Sequence, residues 1–92
     1  MAFTKEELKD LAEKGKELAA MGLAAANLIG VRGLDDSDKN ATVLRIITGT
    51  IDSVQAIAVL INGYAGRGVD VPDVADLEAQ LAALRAFKPL PV

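Results

Sequence analysis

From Leu18 to Val31 the chain reads LAAMGLAAANLIGV, fourteen residues in which Asn27 alone has a side chain that can hydrogen-bond. The stretch runs straight on from a highly charged segment that starts near Thr4. A helix that is apolar on every side has to be covered on every side. A chain of 92 residues hides only about 60–65% of its unfolded surface and has few places for such a helix. The stretch therefore predicts cover from outside the chain: a second copy, another protein or a membrane.

Composition points the same way. Hydrophobic residues make up 51% of the chain and glycine adds eight more positions, although sixteen alanines keep the bulk down. The net charge is −3, with both signs interleaved, which disfavours a basic nucleic-acid face. Aromatic residues are 3%, too few for a base-stacking platform. With no cysteine there is no disulfide framework and no thiolate ligand. That fits a reducing, cytoplasmic setting, which is the expected location. Met1–Lys16 is charged throughout and does not read as a signal peptide.

The sequence reads as a single all-α domain over 1–92, a three-helix bundle with helices near 4–29, 39–64 and 73–88. Thr4-Lys5-Glu6-Glu7 matches a capping box, and Phe3 and Leu8 occupy the positions of a hydrophobic staple. Leu8, Leu11, Gly15, Leu18, Gly22, Ala25 and Ile29 follow three-four spacing and form the expected seam of the first helix. Gly22, Ala26 and Gly30 are four apart, a spacing that lets a second helix come close. The competing reading has Gly15 and Gly22 facing bulky neighbours of the same chain.

Gly30–Asn40 reads as a loop, with Asp36, Ser37 or Asp38 capping the next helix. That helix carries two adjacent seams. One is Leu44, Ile47, Ile51, Val54, Ala58 and Ile61; the other is Val43, Ile46, Ile57, Leu60 and Tyr64. Burial over about two-thirds of its girth follows, which makes it the central element. Thr48-Gly49-Thr50 is its weak point, where a kink or a break would fall. Gly63–Val69 ends it, and Pro72-Asp73 opens a third helix with the seam Val74, Leu77, Leu81, Leu84 and Phe87. The tail 89–92 holds Pro89 and Pro91, which cannot continue a helix.

No constellation reads as chemistry. Asp36-Ser37-Asp38-Lys39-Asn40 opens like a calcium loop, but Ala41 stands where glycine is needed and Ile47 where a bidentate carboxylate is needed. It is read as a solvated loop leading into a helix cap. Gly63-Tyr64-Ala65-Gly66-Arg67-Gly68 follows a helix instead of preceding one, so it is read as termination and not as a phosphate cradle. Asp52 sits on the polar strip beside Gln55 and is read as solvated. Tyr64 is read as the amphipathic end of the core. Histidine is absent, which removes the usual neutral-pH acid–base group.

The reading is therefore a non-enzymatic interaction or assembly protein, with no catalytic, cofactor-binding or metal-binding residues. Its expected interface is Leu18, Gly22, Ala25, Ala26 and Ile29, and its expected partner is itself, as a homodimer or higher homo-oligomer, or another helical protein. Nucleic acid is not expected. The alternative is a small membrane-associated helical protein, phage- or toxin-like. Leu18–Val31 falls short of the ~20 residues that span a bilayer. The stretch 43–61 is long enough but contains Arg45, Asp52 and Gln55.

Overall fold

The computed structural model describes residues 3–29 and 37–87. They form three helices, α1 (Lys5–Ile29), α2 (Ser37–Gly66) and α3 (Ala75–Arg85), and the described residues contain no strand. All three helices pack against one another, which makes the chain an all-α three-helix bundle: two long helices and a short third.

α1 starts as its sequence dictates. Thr4 N–H donates to Glu7 Oε1 at 2.9 Å, and Glu7 N–H donates back to Thr4 Oγ1 at 3.1 Å. The capping box is closed and satisfies two of the free donors at the helix start. Leu8 is fully buried, and the Phe3 ring stands edge-on to Tyr64 at 6.1 Å. The Phe3 N–H also donates to the Tyr64 hydroxyl oxygen at 3.2 Å.

α2 is continuous through Gly49, so the weak point at Thr48–Thr50 does not break it. It also begins earlier and ends later than its sequence suggested. Residues 37–40, read as loop, lie in its first turn, and residues 30–36, the capping candidate Asp36 among them, lie outside the described residues. Asp38 sits in that first turn, where the helix dipole favours an acid. At the other end Gly63 and Gly66 are helical. The stop is Gly68, whose φ is +82°. Gly68 N–H donates to Ala65 O at 3.0 Å and Val69 N–H to Tyr64 O at 3.1 Å, the paired bonds of a Schellman motif. Gly68→Ala would force an L side chain into left-handed backbone and should cost about 1 kcal/mol, read as a lower urea midpoint at unchanged m-value.

α3 begins two residues after Asp73, whose Oδ1 accepts from Ala75 N–H at 2.9 Å. It ends at Arg85, short of residue 88, and Phe87 folds back against the core. The tail 89–92 lies outside the described residues.

The hairpin of α1 and α2 is antiparallel. Gly22 lies against Thr50 and Gly15 against Ile57, so seven residues forward on α1 match seven residues back on α2. α3 runs antiparallel to α2 beside its second half. Arg85 Nη2 donates to Gln55 Oε1 at 2.8 Å, and Asn62 Nδ2 donates to Glu78 Oε1 at 3.3 Å. Leu77, Leu81 and Leu84 are each 2% exposed or less and fill the groove between the long helices.

The seam of α1 is not the one its large residues suggested. The buried positions are Leu8, Ala12, Gly15, Ala19, Gly22 and Ala26. The helix is rotated by about 50° from the expected seam, on a wheel of ~100° per residue. The reason is fit: Val43, Ile47, Val54 and Ile61 of α2 and the α3 leucines supply the bulk, and α1 supplies the small residues that let them in. The glycines thus face bulky neighbours of their own chain. On α2, Leu44 is 47% exposed and Ile46, Ile51, Ile57 and Leu60 are only half-buried, so its buried arc is narrower than the two-thirds expected; Val59, which lies outside both seams, is exposed.

Candidate functional site

The rotation of α1 decides what the outside of the molecule offers. Of the five residues expected at an interface, Gly22 and Ala26 are buried by α2 of the same chain. Ala25 and Ile29 are half-buried, and Leu18 is exposed. Leu18 does not stand alone. Met21 is 66% and Leu28 88% exposed, and with Leu18 and Ala25 they make a 3-4-3 stripe along the second half of α1. The apolar stretch that opened the sequence is therefore covered on one side only. Sequence reasoning missed Met21 and Leu28, because a stretch that is apolar all round does not say which side faces the chain's own core.

α3 fixes which flank is open. Leu77 of α3 reaches Gly15, and Asp76 lies close enough to Lys16 to favour its charged form. α3 therefore lies along the flank of α1 that carries Lys16, and along the flank of α2 that carries Gln55 and Asn62. On a helical wheel Leu11, Leu18 and Ala25 fall on the opposite flank of α1, and Ile46, Ser53 and Leu60 on the opposite flank of α2. None of these six is buried. They line the side of the hairpin that has no third helix.

The polar groups do not converge. Among the described residues no polar or charged side chain is buried and no cavity is present. No group of three or more Asp, Glu, His or Cys among them could hold a metal. Asp52 is exposed on α2, as its place on the polar strip suggested. Tyr64 is 8% exposed, with the Arg67 guanidinium 4.7 Å from its ring centroid, a packed end to the core. The hydrogen bond from Lys5 to Asp70, 2.8 Å, holds the Lys5 ammonium above its ordinary value of 10.5, and the Glu13 carboxylate does the same for Lys16. Because these folded-state values are raised, whatever each pair contributes is complete below 10.5 and is lost only as pH climbs through the folded value. Neither pair is a switch near neutrality.

Gly49, like Gly66 at the end of α2, is an open glycine inside a helix. A Cβ built on Gly22 or Gly15 meets a neighbouring side chain, whereas one built on Gly49 meets nothing within 4 Å. Gly49→Ala should therefore stabilise the isolated chain by about 0.5–1 kcal/mol through helix propensity alone, measured by thermal unfolding at low protein concentration.

Compared with family models, curated proteins and solved structures, the chain matches none.

Proposed function

We propose that this chain is a non-catalytic interaction or assembly protein, working through the open apolar side of its α1–α2 hairpin. The stripe of Leu18, Met21 and Leu28 carries the reading: three large apolar side chains, 41%, 66% and 88% exposed, in register along one helix. Contiguous exposed apolar residues of this kind mark interaction surfaces, whereas scattered ones do not. The scattered carboxylates and the lack of histidine support a role in binding over a role in turnover. A cytoplasmic setting belongs to the same reading and rests on the cysteine-free composition alone.

The test is Leu18→Glu, which places a charge in the middle of the stripe. Light scattering across a concentration series should show the wild-type chain associating and the variant remaining at 9.6 kDa. Helix content should be unchanged, because Leu18 is 41% exposed and belongs to neither core cluster. Equal association of both proteins would move the surface elsewhere.

One observation favours a second reading. Asp38–Gly66 is long and apolar enough to cross a membrane: an 18-residue window within it has a mean hydropathy of 1.6, and only 22% of that window is buried. A core helix is ordinarily covered far more completely. Against insertion stand Arg45 and Asp52, which cost about 2.5–3.5 kcal/mol each near a bilayer centre. Flotation of the chain with lipid vesicles in place of self-association would select this reading.

A further inference from the structure

We draw no further inference here: the strongest candidate, the apolar side of the α1–α2 hairpin that carries Leu18, Met21 and Leu28 and has no third helix over it, is left bare by its own chain, and nothing in the structure shows what covers it.

Discussion

Gly22→Ala should destabilise the chain by about 1–3 kcal/mol, the ordinary range for overpacking, despite the better helix propensity of alanine. The reason is the neighbour. A Cβ on Gly22 would lie 2.6 Å from Thr50 Cγ2 and 2.9 Å from Thr50 Cβ. Those atoms belong to a short, β-branched side chain with one stiff torsion. Thr50 Oγ1 is further held by donating to Ile46 O at 2.6 Å. Relief therefore requires α1 and α2 to separate, which loosens Ala19, Ala26, Val54 and Ile47 together. Gly15→Ala makes the contrast. Its closest neighbour is Leu77 Cδ1 at 2.7 Å, the far end of a flexible side chain that can swing away. Urea denaturation of Gly22→Ala, Thr50→Ala and the double variant checks the argument. The double variant should recover most of the loss, giving a coupling of about 1–3 kcal/mol between the two positions. Additive losses would show that Thr50 is not what makes glycine necessary.

The close approach at Gly22 also shows what sequence could and could not give. The number of helices, their order and the start of α1 were legible because caps, breakers and three-four spacing are local. The α3 seam was legible for the same reason: Leu77, Leu81 and Leu84 are the only large apolar residues on a short helix that is otherwise alanine and polar residues. The facing of α1 was not legible. In the stretch 18–29 every direction is apolar, so periodicity cannot choose between the seam of Leu11, Leu18 and Ala25 and the seam of Ala12, Ala19 and Ala26. The choice was made by the volume of α2 and α3, which is a tertiary fact. The expected interface inherited that ambiguity. Gly22 and Ala26 belong to the chain's own core, and Leu18 belongs to the surface. The exposed stripe through Met21 and Leu28 emerged only once the inner face was assigned.

Leu81→Ala should remove α3 from the bundle, with a loss of about 2–5 kcal/mol. An eleven-residue helix has no stability of its own in water, where helices shorter than ~12–15 residues are marginal. α3 is held by the groove it fills. Its anchors are Leu77, Leu81 and Leu84, at 1%, 2% and 1% exposure, and Leu81 is the middle one. The two side-chain hydrogen bonds to α2, at Arg85 and Glu78, are exposed and add little. A domain of this size has a total stability of roughly 5–14 kcal/mol, at ~0.05–0.15 kcal/mol per residue. The lost leucine is therefore a large fraction of what keeps α3 docked, while the α1–α2 hairpin keeps its own seam of Ala19, Gly22 and Ala26 against Val54, Thr50 and Ile47. Amide hydrogen exchange separates the two outcomes. Amides of α3 should lose protection in Leu81→Ala by ~30-fold or more, since each 1.4 kcal/mol is tenfold, while amides near Gly22 and Val54 lose less. An equal loss across all three helices would mean that the chain unfolds as one unit, with α3 as integral to the hairpin as the hairpin is to α3.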